Sequence, residues 1–550
     1  MIRWRIAIAA ILSIVLAVPM AAPVRLLASD PSAWQSWTEA SRLLALASNT
    51  LSLVAGSLLL SVPLGILAAV LLYRTDLPCR RLLRSALVLT LFVPLPLFAS
   101  GWQTVLGSGG WLPVPAWSGF ASVWTPWGQG IGSAIWIHAA AALPWVVLLA
   151  GRGLLWIERE LEEDALTLMP AGLVLLRVCL PRAGAALALA AAWVGLQAAT
   201  EITVTDVMQV RTFAEEVYTQ IVGGPELEEG IARATAAALP FVFLSVLVVV
   251  VLVRWWERRA PAPRSTEAST LDNPPLFPLG RWRWPLALGI ALLTAILVGS
   301  PWGSLIWRAG WTGTPPTWSA STAGHYLLLA RKPPDGQILR DSLLLAVAAG
   351  VVASALALVA CWAARESFWF RYGVLILMAT AWAMPGPLIG LGLKSTIEWL
   401  LNATEWRWLA QALYHGPSVL PLLWVDIIRF FSFAVALLWP AMQRIPSERI
   451  DAARVDGATP LRELCRVIWP SVRAVFACAS LAVAVLSLGE VSAGKIVATP
   501  GMPSYATDIF TQMHYGVTNE LAARCLVLLL LAMVGGTGVV VLGSLARRRG

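Results

Sequence analysis

A chain of 550 residues that is 58% hydrophobic and only 13% charged, with a mean hydropathy of +0.73, is far less polar than a soluble domain, where about 25% of residues are charged. A soluble globule is therefore excluded. The formal charge of +9 sits in short clusters between apolar blocks rather than on a polar, aromatic-interleaved surface, so it reads as a topology signal and not as a nucleic-acid interface.

The apolar blocks are roughly 20 residues long, which a helix rising 1.5 Å per residue needs to cross ~30 Å of hydrocarbon. The alternation of a membrane β-barrel is absent. The fold class is an all-α polytopic membrane protein. In chain order, twelve spans are predicted near 6–27, 51–73, 83–105, 131–151, 183–203, 231–253, 284–306, 342–364, 372–394, 419–439, 471–492 and 521–545. Several contain proline (Pro63, Pro94, Pro96, Pro144, Pro385, Pro387), which a span tolerates when neighbouring helices satisfy the freed backbone. The first block imitates a secretory signal, but a matching helix at 284–306 favours an uncleaved span.

Arginine placement orients the spans. Clusters at Arg3/Arg5, Arg74 to Arg84, Arg152 to Arg182, Arg254 to Arg283, Arg365/Arg371, Arg444 to Arg473 and Arg547 to Arg549 share one side, while all three lysines (Lys332, Lys394, Lys495) lie opposite. The positive-inside rule then puts both termini in the cytoplasm and the stretches 107–130 and 308–336 outside. Six cysteines (Cys79, Cys179, Cys361, Cys465, Cys478, Cys525) and four histidines (His138, His325, His415, His514) are scattered without metal-ligand or disulfide spacing, so no metal or cofactor is expected.

Sliding the chain on itself reveals a duplication at an offset of about 289 to 292 residues. Asn49-Thr50-Leu51 matches Asp341-Ser342-Leu343, Pro94/Pro96 match Pro385/Pro387, Arg177 to Pro181 matches Arg466 to Pro470, Glu201 matches Glu490, and Val217 to Gln220 matches Ile509 to Gln512. Each half, 1–255 and 284–550, thus holds six spans in parallel repeat. Residues 256–283, rich in Pro, Ser, Thr and Arg, read as a cytoplasmic linker.

Before the fifth span of each half lies its longest cytoplasmic connection, 158–181 and 445–470. In the second, the acidic and alanine-rich stretch at Asp451-Ala452-Ala453 favours a short helix, Gly457 permits positive φ, and Pro460 favours the start of another. These residues resemble the Glu-Ala-Ala loop of ATP-binding-cassette importer permeases: Asp451, Ala452, Ala453, Gly457, Val467, Trp469 and Pro470 fill its pattern in register. The first half is degenerate. Glu162, Glu163, Asp164 and Ala165 precede Pro181, but alignment on Pro181 puts Leu168 where the glycine belongs, alignment on the acidic stretch puts Met169 there, and Gly172 comes late.

The resemblance extends to the Asn-Thr-Leu start of the second span, the Tyr73-Arg74 exit and the Pro-x-Pro third span. The fused layout is similar to the ferric-iron type, and less closely to thiamine permeases. It implies a permease without enzymatic activity, the coupling loops docking on two copies of a cytoplasmic ATPase, and an external binding protein delivering cargo. It places the chain in a bacterial inner membrane. No Gly-x-x-x-x-Gly-Lys-[Ser/Thr] phosphate loop occurs, in keeping with hydrolysis on a partner. A twelve-span, gradient-driven secondary transporter is the alternative, one that needs no Ala-Ala-x-x-x-Gly segment.

Glu201 and Glu490 end the fifth spans. An ionisable group at membrane depth costs at least ~2.5 kcal/mol and faces a cavity or a partner, so the two are candidates to line a path. Asp426 and Arg429, three apart on one helical face, are placed so that they could pair, as structural residues.

Overall fold

The computed structural model describes residues 2–106, 130–223, 227–259, 277–313 and 317–549. The outer stretch predicted at 107–130 and the middle of the linker lie outside the described residues, apart from Gly130. Among the described residues nine helices are long and apolar enough to cross a membrane, and three helix pairs qualify together but are sharply bent. The protein is thus an all-α polytopic membrane protein with up to twelve crossings.

In chain order the first half contains α1 (Ile2–Ser29), α2 (Ala40–Arg74), the pair α3 (Arg80–Phe92) and α4 (Leu95–Val105), α5 (Ile131–Leu155), α6 (Arg159–Leu168), the pair α7 (Ala171–Arg182) and α8 (Gly184–Thr200), α9 (Thr203–Val207), α10 (Phe213–Gly223) and α11 (Glu229–Trp255). The second contains α12 (Gly280–Ala309), α13 (Asp335–Ala364), the pair α14 (Phe368–Ala383) and α15 (Gly386–Thr404), α16 (Leu420–Gln443), α17 (Ser447–Val455), α18 (Pro460–Ser487), α19 (Gly494–Val497), α20 (Tyr505–Met513) and α21 (Asn519–Leu545). A short antiparallel pairing of Trp311–Thr312 with Thr317–Trp318 follows α12.

The spans predicted at 83–105 and 372–394 are not continuous rods. The chain turns by 105° between α3 and α4 and by 112° between α14 and α15. Each break falls at the first proline of the Pro-x-Pro pair, where Val93 and Met384 are extended (ψ 119° and 128°), as the residue before proline prefers. The fifth span likewise bends, by 65° between α7 and α8.

Local geometry recurs between the halves. α2 packs on α5 and α8 as α13 packs on α16 and α18. Thr50 Oγ1 accepts the Phe213 amide at 3.1 Å, and Ser342 Oγ accepts the Tyr505 amide at 2.9 Å. Arg74 donates to the Leu154 carbonyl at 2.9 Å, and Arg365 to the Ile445 carbonyl at 2.6 Å. A wide π-type turn occurs at Leu175–Cys179 and again at Leu464–Ile468.

The first helices are exchanged between the halves. The end of α1 packs on α15 as well as on α11, and the end of α12 packs on α4 and α21. Glycine makes both crossings possible: a Cβ on Gly392 would collide with the Pro19 carbonyl, and one on Gly101 would come within 2.6 Å of Pro301 Cβ. Two hydrogen bonds also cross between the halves: Trp424 Nε1 of α16 to the Val15 carbonyl at 2.8 Å, and Ser304 Oγ to the Gly101 carbonyl at 2.9 Å.

The sixth helix continues to Arg259, and by Phe277 the chain is already tied to the first half. Phe277 N donates to the Arg74 carbonyl at 2.8 Å, and Leu279 N to Asp76 Oδ1 at 2.9 Å.

Replacing a helical glycine by alanine ordinarily gains roughly 0.5–1 kcal/mol. At Gly392 and Gly101 the sign reverses: each Gly→Ala variant is expected to lose about 1–3 kcal/mol through overpacking. Gly303→Ala, where a Cβ meets nothing within 4 Å, stays neutral or gains. Thermal melting of the purified protein in detergent measures all three.

Candidate coupling surface and central cavity

Both predicted coupling segments fold as two helices joined by a bend, by different means. In the second half α17 ends at Val455, Gly457 adopts φ +80°, and Thr459 caps the next helix by accepting from Arg462 N at 3.4 Å. In the first segment, 158–181, no residue turns left-handed. α6 ends at Leu168, Met169 is extended (φ −149°, ψ 157°), and Pro170 leads into α7, with Gly172 inside that helix. Two extended residues thus replace the glycine turn.

The surfaces these segments present are alike in one respect: each first helix finishes on a bare aliphatic side chain, Leu168 at 82% and Val455 at 87% exposure. Asp451, Ala452, Gly457 and Pro470 are exposed and Ala453 is partly so. In the first segment Glu163, Asp164 and Pro181 are exposed, with Glu163 paired to Arg159 at 2.6 Å, whereas Ala165 is buried.

Glu162 of the first predicted segment faces inward. It is completely buried and forms an ion pair with the equally buried Arg74 at the end of α2. Arg74 also holds the end of α5 through the Leu154 carbonyl, so one guanidinium fastens the coupling segment to two spans. The second half builds its anchor from other residues. Arg454 bonds Glu463 at 2.9 Å and also Glu366, Glu463 lies 3.4 Å from Trp362 Nε1, and Glu366 receives Arg5 from the N-terminal helix at 3.3 Å.

Glu201 and Glu490 line one cavity of about 190 Å³ between the halves, room for several waters. Both carboxylates are tied to the start of the next short helix. Glu201 accepts from Thr203 N at 2.7 Å and Val204 N at 3.1 Å; Glu490 accepts from Ala493 N at 2.8 Å and Ser492 Oγ at 3.1 Å. Asp426 and Arg429 do not pair: Arg429 bonds Glu490 at 3.2 Å, and Asp426 accepts from Ser487 Oγ at 2.5 Å. Arg429 is therefore the cation of this cavity.

Sequence reasoning missed the other wall. Trp193 of the first half stands 5.3 Å from Trp382 and 5.5 Å from Phe433 of the second, and 5.2 Å from Trp145. These rings pack edge-on or tilted across the joint between the halves, closing one side of the cavity. No repeat signal marks them, because Ala482 and Leu91 stand at the matching positions of Trp193 and Trp382. Arg74, by contrast, could have been found, since Arg365 ends a span at the equivalent place.

Breaking a buried pair by removing one partner costs about 3–5 kcal/mol because a charge is left unpaired. Arg74→Met is expected to destabilise the protein by that order and Arg74→Met/Glu162→Gln by markedly less. Comparison of the melting temperatures of the two variants in one detergent checks this.

Comparison with curated proteins returns no match. Residues 356–548, from α13 to the end of α21 and including the complete second coupling segment, match the family model of the binding-protein-dependent transport system inner membrane component.

Proposed function

We propose that this chain is the permease of an ATP-binding-cassette importer, both halves fused in one polypeptide. The observation that carries the reading is the coincidence of the family match over 356–548 with an exposed Asp451-Ala452-Ala453-x-x-x-Gly457 segment, folded as helix, left-handed glycine and helix. The recurrence of that architecture in the first half, with its own bend, supports a second docking place for a second ATPase. Both termini face the cytoplasm of a bacterial inner membrane, and the cargo arrives from an external binding protein.

In this mechanism the chain supplies no chemistry of its own. Closure of the ATPase pair pushes on α6 and α17. The push reaches the spans through Arg74–Glu162 in one half and through Arg454–Glu366 and Glu463–Trp362 in the other, because these contacts join each segment to the helices beside it. The halves then rock about the aromatic joint and expose the Glu201/Glu490 cavity to alternate sides. The resemblance in layout supports ferric iron as the cargo. Among the described residues no group of three or more His, Cys, Asp or Glu gathers, so such a cargo would pass the two glutamates rather than rest in a protein cage.

Val455→Asp and Gly457→Asp place a charge where the ATPase would dock; aspartate also tolerates a left-handed backbone, so the fold survives. Both variants are expected to reduce co-purification of the ATPase and ATP-driven uptake while expressing normally. Absence of any ATPase partner for the wild-type protein, with uptake abolished by a protonophore alone, would overturn the reading. Glu201→Gln/Glu490→Gln is expected to lower uptake of isotopically labelled ferric iron with ATPase binding unchanged; intact uptake in that variant removes the two carboxylates from the path.

A further inference from the structure

The end of α3 nearest the linker carries an unusual concentration of positive charge. Arg80, Arg81 and Arg84 lie within its first five residues, and α12, which packs against α3, begins with Arg281 and Arg283. Docking of Phe277 and Leu279 on Thr75 and Asp76 brings the two sets together. Among the described residues none of the five arginines forms an ion pair. Arg80 donates to the Thr75 carbonyl at 3.1 Å, and Arg84 stacks over Tyr73 at 4.5 Å. Three cations at a helix N-terminus oppose the helix dipole. Asp76 stands beside Arg80 and offsets part of this charge, and among the described residues the cluster remains net positive.

Below it the surface is bare and apolar. Leu82 on α3, and Trp282, Trp284 and Leu288 on α12, are all exposed, Trp284 at 70%. Both elements are the starts of candidate spans, so the cations sit at one membrane surface with the apolar side chains beginning the hydrocarbon layer. Tryptophan prefers this depth. The equivalent place in the second half is built otherwise. Ser367 caps α14 by accepting from Phe370 N, Arg254 and Arg371 stack on Tyr372, and the adjacent Glu366 neutralises Arg5 and Arg454.

We propose that the α3–α12 surface binds the headgroup of an anionic phospholipid, its phosphodiester among Arg81, Arg281 and Arg283 and its acyl chains along Leu82, Trp284 and Leu288. A phosphate bearing two acyl chains fits both parts of the surface; a soluble anion fits only the first. Basic residues at a membrane surface each attract such lipids. Because Phe277 and Arg74 lie beside this surface, a bound lipid would also steady the base of the first coupling segment.

The test uses the full-length protein delipidated in an uncharged detergent, with native mass spectrometry counting added phosphatidylglycerol or phosphatidylcholine. The expected result is preferential binding of phosphatidylglycerol, weakened at least about tenfold in Arg81→Gln/Arg281→Gln/Arg283→Gln and unchanged in Arg254→Gln/Arg371→Gln. The three arginines are exposed and form no ion pair among the described residues, so an unaltered melting temperature verifies that the triple variant is folded. Equal binding of the two lipids by the wild-type protein, or undiminished phosphatidylglycerol binding by the folded triple variant, would overturn the proposal. So would displacement of the lipid by inorganic phosphate alone, which would mark a soluble-anion site.

Discussion

Within hydrocarbon a backbone or charged group has only the protein to bond with. The structure follows from how each such debt is settled. Where Pro94 and Pro385 interrupt a span, the chain does not straighten but turns through more than a right angle, and the resulting short helices lie among other helices, not alone in lipid. Where a carboxylate reaches membrane depth, as at Glu201 and Glu490, the amides of the following short helix take it up. A cation buried beneath the coupling segment, Arg74, is met by Glu162 and a free carbonyl.

The two halves settle the same requirements with different residues. The glycine turn at Gly457 is replaced by an extended Met169–Pro170. The closed Arg74–Glu162 pair is replaced by a more open network through Arg454, Glu463, Glu366 and Arg5. A fully desolvated pair is stiff, because moving either partner strands a charge; a part-exposed network is screened and yields more readily. The two predicted coupling segments are therefore held by anchors of unequal stiffness.

Span positions were legible because hydropathy is a local property, and all twelve predicted segments fall on helices or bent helix pairs. The glutamates at the ends of the fifth spans were legible because the duplication singled them out. Partners were not legible wherever the contact is distant in sequence. Asp426 and Arg429 share a helical face, yet Arg429 finds Glu490 and Asp426 finds Ser487, because the neighbouring helix offers better geometry than the same one. Glu162 looked like a surface acid because its helix is amphipathic and acidic; only the return of α2 to the same place buries it. The aromatic joint was invisible for a third reason: it is asymmetric, and a repeat-based reading looks for what recurs.

The exchange of first helices bears on how the protein is made. Residue 19 packs against residue 392, so α1 enters the bilayer long before part of the surface it belongs to exists. Until α15 follows, the proline-bearing end of α1 has lipid or the insertion machinery as its neighbour, and the first half cannot finish as an independent unit. The second half depends on the first in the opposite sense, since α12 emerges to find α4 already waiting. Assembly is therefore directional: the late half folds onto a prepared surface, and only its completion retrieves α1.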